Sequence, residues 1–246
     1  MEGAVYFDQR DSDVRFEWGL SGLEALAPMS DVVVIVDVLS FTTAVDVVVA
    51  AGGTVFPYRG SIHDLPSFAL ANDAQFVSPG RQVGGGYSLS PASLLTAPPG
   101  IRLVMPSLNG STLSLFTGGV PTLAGCLRNA AAVARHALTI GSRISVIAAG
   151  ERWPRDSLRP GLEDLLGAGA IIAHLTGNRS PEADLALGGF DAVQTRLPPT
   201  LARCSSGKEL IGRGFRDDVE VAAMLNVSDA VPQLVDGAYV DATFRL

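Results

Sequence analysis

The sequence predicts an α/β fold in which a largely parallel sheet is layered between helices. The first observation is a continuous Val/Ile run at 32–36, with two further segments rich in apolar residues at 101–105 and 143–148. Continuous Val, Ile and Leu runs of this length are typical of strands that are buried on both faces of a parallel sheet. The second observation is that helical segments alternate with these runs, which favours helices on both sides of the sheet.

In the N-terminal half, short strands and helices are predicted to alternate. The elements are a strand over 4–7, a helix over 20–26, a strand over 32–36, a helix over 42–51 and a strand over 54–58. The Gly-Gly pair after residue 51 is a natural stop for the second helix. Residues 78–100 are rich in Gly, Ser and Pro and predict a long loop, which in a compact domain is often functional.

In the C-terminal half, the same alternation continues and then becomes less regular. The predicted strands are 101–105, 122–125, 143–148 and 238–244, and the predicted helices are 130–138, 162–175 and 216–226. No linker divides the chain, so residues 1–246 are interpreted as a single domain. An echo between the segments that follow Asp37 and Asp164 leaves an internal duplication open.

Composition narrows the class of protein. The chain has 246 residues, is 47% hydrophobic, and carries a formal net charge of −7 with a pI near 4.9. An acidic chain without a basic, aromatic-rich cluster is not expected to bind nucleic acid. No apolar run approaches the roughly 20 residues of a membrane span, and the acidic N-terminus does not resemble a signal peptide. We therefore expect no membrane partner and a cytoplasmic location. The oligomeric state is open, with a homodimer as one option.

The segment around Asp37 carries the main functional prediction. Asp37 follows the buried run 32–36, and open α/β sheets place their ligands at the carboxyl ends of strands. Ser40, Thr42 and Thr43 follow, at the start of the predicted helix, where free N–H groups favour an anion. A carboxylate beside an anion-binding helix start predicts a metal-assisted phosphate site.

Polar residues also follow other predicted strands. They are Asn109, Gly110 and Ser111 after one strand, Asn129 after the next, and Gly150 with Glu151 after the third. Because the carboxyl ends of parallel strands share one edge, we expect these groups to converge with Asp37 on one crevice. Taken singly, each Asn is more simply a turn or cap residue.

Glu163 and Asp164 open a predicted helix and complete the acidic set. Mg²⁺ is commonly held by one or two carboxylates together with phosphate oxygens of the substrate. Asp37, Glu163 and Asp164 are therefore the candidate ligands for Mg²⁺, although Glu163 would also suit a helix start simply through the helix dipole. A haloacid-dehalogenase type of phosphatase is disfavoured, because the second acid of that pattern is replaced here by Leu39.

Seven short motifs in a fixed order resemble the 2-phosphosulfolactate phosphatase family, the ComB-like proteins, over roughly residues 30–237. The motif residues are Asp37 and Thr42; Asn109 and Gly110; Gly125 and Asn129; Ala149 and Gly150; Glu163, Asp164 and Gly169; Gly214 and Asp218; and Val231, Pro232 and Gln233. The resemblance implies an α/β fold and a Mg²⁺-dependent acid phosphatase that acts on phosphate esters of small hydroxycarboxylic acids. The catalytic candidates are Asp37, Asp164 and Asn109.

The chain departs from the family pattern at two places that bear on the substrate. Ser40 stands where family members usually carry Arg, and Pro79-Gly80-Arg81 stands where they carry Gly-Gly-Glu. A second anionic group on the substrate needs a guanidinium partner, since an unpaired buried charge is costly. Arg81 is the first candidate and Arg152 the second. The alternative function is a non-catalytic or retargeted family member that binds a phosphorylated metabolite.

Overall fold

The computed structural model describes residues 5–78 and 86–245 of the chain. Eleven strands lie within them. In chain order they are β1 (Val14–Trp18), β2 (Val32–Val36), β3 (Thr54–Tyr58), β4 (Gln75–Phe76), β5 (Arg102–Pro106), β6 (Thr122–Gly125), β7 (Ile144–Ala148), β8 (Glu151–Arg152), β9 (Leu158–Arg159), β10 (Pro232–Val235) and β11 (Ala238–Asp241).

The same residues form eleven α-helices. They are α1 (Gly19–Leu26), α2 (Phe41–Ala50), α3 (Leu65–Ala71), α4 (Pro91–Leu94), α5 (Gly110–Leu115), α6 (Ala130–Ile140), α7 (Leu162–Ile172), α8 (Pro181–Asp191), α9 (Leu197–Arg203), α10 (Ser205–Gly212) and α11 (Arg216–Ala222). No helix in the described part of the chain is both long enough and apolar enough to cross a membrane.

Nine of the strands form one sheet, in the order β1-β7-β2-β6-β10-β11-β3-β5-β4. The first four strands are parallel to one another, and so are the last three. Between these two parallel blocks lies the antiparallel hairpin β10–β11, which pairs antiparallel with β6 on one side and with β3 on the other. The two blocks therefore run in opposite directions. The α/β fold with a largely parallel sheet is confirmed, with this reversal added.

Strand β2 lies at the centre of the first block and is buried on both faces, as its sequence predicted. Val32, Val34 and Val36 pack into a core beneath helices α6 and α7. Val33 and Ile35 pack on the other face, in a cluster with helix α1. This burial on both faces explains why a strand of five β-branched residues is tolerated here, and it fixes the position of whatever follows the strand.

Three predictions of local structure were wrong or incomplete. The predicted strand over 4–7 is a short 3₁₀ helix at Val5–Phe7, and the first strand is instead β1, whose Arg15 and Glu17 interrupt the apolar pattern. Within the predicted loop 78–100, helix α4 forms, while residues 79–85 lie outside the described part of the chain. The segment between α7 and α11 holds three further helices, α8 to α10.

The echo between the segments after Asp37 and Asp164 does not correspond to a repeated structural unit. Asp37 lies in a turn that follows a strand, whereas Asp164 lies within the first turn of helix α7. The resemblance between the two segments is therefore one of small residues alone.

Candidate active site

Asp37 lies in the turn between β2 and α2, and its carboxylate is fixed by backbone groups. Oδ1 accepts the N–H of Phe41 at 3.2 Å, and Oδ2 accepts the N–H of Gly110 at 3.0 Å. The hydroxyl of Thr42 accepts the Asp37 N–H at 3.0 Å and donates to the Asp37 carbonyl at 2.9 Å. Asp37 is only 7% exposed, so the turn holds an acid in a nearly closed setting.

Gly110 reaches Asp37 by a route that the sequence did not indicate. The strand before it, β5, belongs to the block that runs opposite to β2. The prediction that the two strands end at the same edge of the sheet is therefore wrong. Helix α5, which begins at Gly110, contacts both β3 and β2. A side chain at position 110 would clash with the ring of Phe41 and lie 2.8 Å from Asp37 Oδ2, so glycine permits this close approach.

Asp164 lies behind the Asp37 turn and connects two segments of backbone. Its Oδ1 accepts the N–H of Val38 at 2.7 Å, and its Oδ2 accepts the N–H of Gly150 at 2.8 Å. Burial, followed by the charges of Asp37 and Glu163, raises the pKa of Asp164 well above its usual range. The carboxyl group thus ties the turn after β2 to the segment after β7.

A cleft of about 260 Å³ opens beside Asp37. Its walls come from the β2–α2 turn, from the loop before α5, from the start of β8 and from one face of α10. The lining residues are Asp37, Leu39, Ser40, Phe41, Leu89, Ser107, Asn109, Glu151, Ser206, Glu209, Leu210 and Arg213. The lining is mostly polar and includes three acids, which suits a small charged ligand better than an apolar one.

Glu151, the first residue of β8, is the acid of this cleft whose protonation is most clearly perturbed. Burial, followed by the charges of Asp37 and Glu163, raises the pKa of Glu151 from 4.5 to about 7, with Arg159 acting in the opposite direction. Its Oε2 accepts the side-chain amide of Asn109 at 3.4 Å. A carboxyl group with a pKa near neutrality can both donate and accept a proton at physiological pH.

Glu163 is buried beneath the start of α10 and is only 1% exposed. Its Oε1 accepts the hydroxyl of Ser206 at 2.5 Å, and its Oε2 accepts the thiol of Cys204 at 3.4 Å. Arg159 also donates to the Ser206 hydroxyl, at 2.9 Å. Burial raises the pKa of the Cys204 thiol to about 12, so this cysteine stays protonated. Glu163 therefore holds the start of α10 in place through its hydrogen bond with Ser206, and Ser206 also lines the cleft.

Two of the three acids predicted to bind Mg²⁺ have their oxygens engaged by other groups of the protein. Both oxygens of Asp164 are engaged by backbone N–H groups, and those of Glu163 by the side chains of Ser206 on α10 and of Cys204 directly before it. In residues 5–78 and 86–245, no group of three or more His, Cys, Asp or Glu side chains is arranged to hold a metal ion. Of the predicted set, Asp37 alone lines the cleft.

Several predicted binding residues lie in or beside the cleft. Ser40 and Asn109 line it, and the N–H of Gly110 is bound to Asp37. Arg152 is directed elsewhere: its Nη1 donates to Asp156 at 2.7 Å, and its Nε donates to the Asn109 amide oxygen at 3.3 Å. It lines a neighbouring pocket of about 290 Å³ that also includes Asn109.

Four predicted site residues hold backbone turns in place and do not face the cleft. Thr42 braces Asp37, and Thr43 donates to the Val38 carbonyl at 2.8 Å. Ser111 donates to the Met105 carbonyl at 2.7 Å. The amide oxygen of Asn129 accepts the Cys126 N–H at 2.9 Å, and its NH₂ group donates to the Ala124 and Ala230 carbonyls. Arg81 lies outside the described residues.

The sequence placed Glu151 at the expected crevice, directly after Gly150, but assigned it no chemical role. The whole contribution of α10 was missed. The contribution of α10 is a stripe of Ser206, Glu209, Leu210 and Arg213, spaced at i, i+3, i+4 and i+7. That spacing marks one helix face. The sequence nevertheless gave no sign that this face meets strands almost 170 residues away.

Comparison with known proteins shows which family this chain resembles in sequence. A family model described as 2-phosphosulpholactate phosphatase matches residues 23–237. A protein of Carboxydothermus hydrogenoformans named "Probable 2-phosphosulfolactate phosphatase" is 32% identical over 224 residues, which cover 87% of this chain and 91% of that protein. A protein of Gloeobacter violaceus with the same name is 28% identical, covering 82% of this chain and 88% of its own.

A third relative carries the name without the qualifier. The "2-phosphosulfolactate phosphatase" of Methanothermobacter thermautotrophicus is 34% identical over 137 residues, which cover 55% of this chain and 57% of that protein. These names describe phosphoric monoester hydrolases. Since the family model covers most of the chain, including the Asp37 turn, Glu151 and α10, the chain belongs to the 2-phosphosulfolactate phosphatase family, whose activity is phosphoric monoester hydrolysis.

Proposed function

We propose that this protein hydrolyses the phosphate monoester of a small hydroxy acid, either 2-phosphosulfolactate or a related phosphorylated hydroxycarboxylic acid. The observation that carries the proposal is one cleft that holds two carboxyl groups in different settings. Asp37 is fixed by two backbone N–H groups, whereas Glu151 has its pKa raised to about 7. Two acids in such different settings suit a division of roles between charge and proton transfer.

Glu151 is the group best placed to handle the proton. Cleavage of the ester breaks the bond between phosphorus and the oxygen of the hydroxy acid, and that oxygen must gain a proton to leave as an alcohol. Glu151 is protonated below its pKa of about 7 and can supply this proton. It thereby fills the role of the second acid that is missing at Leu39, two residues after Asp37.

The start of helix α2 is suited to hold the phosphate. Ser40 lines the cleft directly before Phe41, the first residue of this ten-residue helix. The N-terminal end of a helix carries partial positive charge and favours an anion. Asp37 then either attacks phosphorus, which gives an aspartyl phosphate that water hydrolyses, or orients the attacking water. Acid quenching during turnover of labelled substrate separates these routes, because only the first leaves phosphate on the protein.

Mg²⁺ is part of the proposal, with Asp37 as its protein ligand. One carboxylate together with phosphate oxygens is a common arrangement for this ion, and a divalent cation would offset the acidic lining of the cleft. When bound, the ion would neutralise charge on the phosphoryl group. Glu163 and Asp164 are left out of the ligand set, because neither lines the cleft in which the phosphate would bind.

The test is phosphate release from purified protein given a panel of small phosphate esters, with Mg²⁺, with Mn²⁺ or after treatment with a chelator. We expect release from the esters of hydroxy acids, loss of that release after chelation, and recovery when Mg²⁺ is returned. Full activity after chelation would contradict the role of the ion. Stabilisation of the protein by the esters in a thermal shift assay, without any release, would instead favour the alternative of a binding protein.

A further inference from the structure

The face of α10 lines the cleft but takes no part in the binding of phosphate or the transfer of the proton proposed above. Ser206, Glu209, Leu210 and Arg213 all line the cleft, so this eight-residue helix and the residue that follows it form one wall. Asp37 and the start of α2 line another part of the same cleft. A ligand whose phosphate lies at the start of α2 would therefore present its remaining groups to α10.

The charges on the cleft wall are unevenly distributed. Asp37, Glu151 and Glu209 are acids, whereas Arg213 is the single basic side chain among the described residues that line the cleft. A phosphate ester that also carries a carboxylate or sulfonate brings a further negative charge to this wall. That group needs a cationic hydrogen-bond donor, and a guanidinium offers two parallel N–H groups to such an acid.

Arg213 is available for such an exchange. Its Nη1 lies 3.2 Å from Oε1 of Glu209, four residues earlier, and its guanidinium carbon lies 5.8 Å from the centre of the Phe215 ring. The Arg213 and Glu209 side chains are 50% and 65% exposed, and ion pairs with this exposure contribute little to stability. Replacing the Glu209 carboxylate by an acid on the ligand would therefore cost the protein little.

The other arginines beside the cleft are held by partners of their own. Arg152 is paired with Asp156, and its Nε donates to Asn109. Arg159 donates to the Ser206 hydroxyl and stacks near Trp153. Neither lines the cleft beside Asp37.

We propose that Arg213 binds the second acidic group of the substrate, a carboxylate or sulfonate, and that Glu209 holds Arg213 in the free enzyme. This inference rests on the proposed function. It names Arg213, directly after α10, as the residue that would distinguish an ester with a second acidic group from one without it.

The test compares two esters and three variants. One ester is a phosphorylated hydroxycarboxylic acid, and the other is 4-nitrophenyl phosphate, which has no second acid. We expect Arg213→Ala to raise KM for the acidic ester about tenfold or more, and to change KM for the nitrophenyl ester less than about twofold. Arg213→Lys should give a smaller rise, because lysine keeps the charge and loses the fork. Glu209→Gln should lower KM for the acidic ester, because it releases Arg213.

Arg216→Ala is the matched control, since Arg216 is an exposed arginine three residues further along and does not line the cleft. Thermal unfolding of each variant checks that the fold is kept. An equal change of KM for both esters in Arg213→Ala, or no change, would overturn the assignment of Arg213. An unchanged or higher KM in Glu209→Gln would overturn the role of Glu209. Wild-type protein inactive on both esters would instead refute the proposed function.

Discussion

At the scale of single residues, the cleft depends on acids that differ in what surrounds them. Asp37 and Asp164 each accept two backbone N–H groups, which fix the position of the carboxyl group. Glu151 accepts a long hydrogen bond from the amide of Asn109, and burial together with the charges of Asp37 and Glu163 raises its pKa to about 7. We assign the proton-donating role to Glu151 because it lines the cleft, whereas Asp164 lies behind the Asp37 turn.

The first prediction concerns Glu151→Gln. Its carboxyl pKa is raised to about 7, so the proton needed by a general acid is present below that pH and is lost as pH rises through it. We expect wild-type kcat on an alkyl phosphate ester to fall above about pH 7, and Glu151→Gln to lower kcat by roughly 100-fold or more and to remove that fall. The measurement is kcat against pH for both proteins.

The choice of leaving group provides the control for this prediction. Nitrophenolate leaves without a proton, so Glu151→Gln should affect hydrolysis of 4-nitrophenyl phosphate far less than hydrolysis of the alkyl ester. Glu220→Gln, on an exposed face of α11, should leave both rates unchanged. Equal losses on the two esters would mean that Glu151 acts through binding or structure and not through proton donation.

The second prediction concerns Asp164→Asn. Asp164 is 3% exposed, and its two oxygens accept the N–H groups of Val38 and Gly150. An Asn side chain can accept only one of them and places its NH₂ group against the other. We expect a loss of about 1–3 kcal/mol in the free energy of unfolding, measured by urea denaturation, together with lower activity. Asp217→Asn, an exposed change on α11, is the control and should be neutral.

An unchanged unfolding free energy with lost activity would return Asp164 to the catalytic role that the sequence suggested. The sequence identified Asp37, Ser40 and Asn109 as site residues, because each directly follows a strand or opens a helix. It could not separate Asp164 from them, since the partners of a carboxylate are set by long-range packing. The bond from Val38 to Asp164 spans 126 positions of the chain.

At the scale of elements, the close packing of α7 against α8 depends on one glycine. A side chain at Gly169 would clash with the carbonyl of Ala186 and lie 2.7 Å from Phe190 Cβ. Gly188, on the neighbouring helix α8, has no atom within 4 Å of the corresponding position. Gly169 thus lies where α7 and α8 touch, whereas Gly188 lies on a face of α8 that touches no other part of the described chain.

The third prediction uses this pair. Gly169→Ala should lower the free energy of unfolding by roughly 1–3 kcal/mol, because the added methyl group forces the helices apart. Gly188→Ala should raise it by up to about 1 kcal/mol, since alanine is a better helix former than glycine. Both values come from urea denaturation of the single variants. Equal effects of the two changes would mean that helix propensity, and not contact, decides both.

Elements with a strong apolar pattern were predicted well, and those with a mixed pattern were not. Strand β2 was placed correctly because five consecutive apolar residues are needed for burial on both faces. Strand β1 was missed because Arg15 is buried there, with its guanidinium donating to the carbonyls of Ser12 and Met29. Helix α10 was missed because its sequence is polar and small, and its position depends on Glu163.

At the scale of the whole molecule, the hairpin β10–β11 joins two parallel blocks into one sheet. It pairs with β6 of the first block and with β3 of the second. Tyr239 of this hairpin is fully buried, and its hydroxyl lies 2.7 Å from that of Ser114 on α5, the helix that folds back to Asp37. The sequence predicted a single domain, but the reversal between blocks could not be foreseen, because it is decided by the last strands of the chain.

The last prediction is that the two blocks unfold as one cooperative unit. Trp18 ends β1 of the first block, and Trp153 follows β8 in the small hairpin after β7, so tryptophan fluorescence reports on this side of the molecule, whereas far-ultraviolet circular dichroism reports on the whole chain. Val104 is fully buried in β5 of the second block, so Val104→Ala should cost roughly 1–3 kcal/mol. In one cooperative unit, this change shifts the urea midpoint equally for both signals. A tryptophan transition that stays at the wild-type midpoint while the dichroism transition moves would show that the blocks unfold separately, and that the single-domain interpretation is wrong.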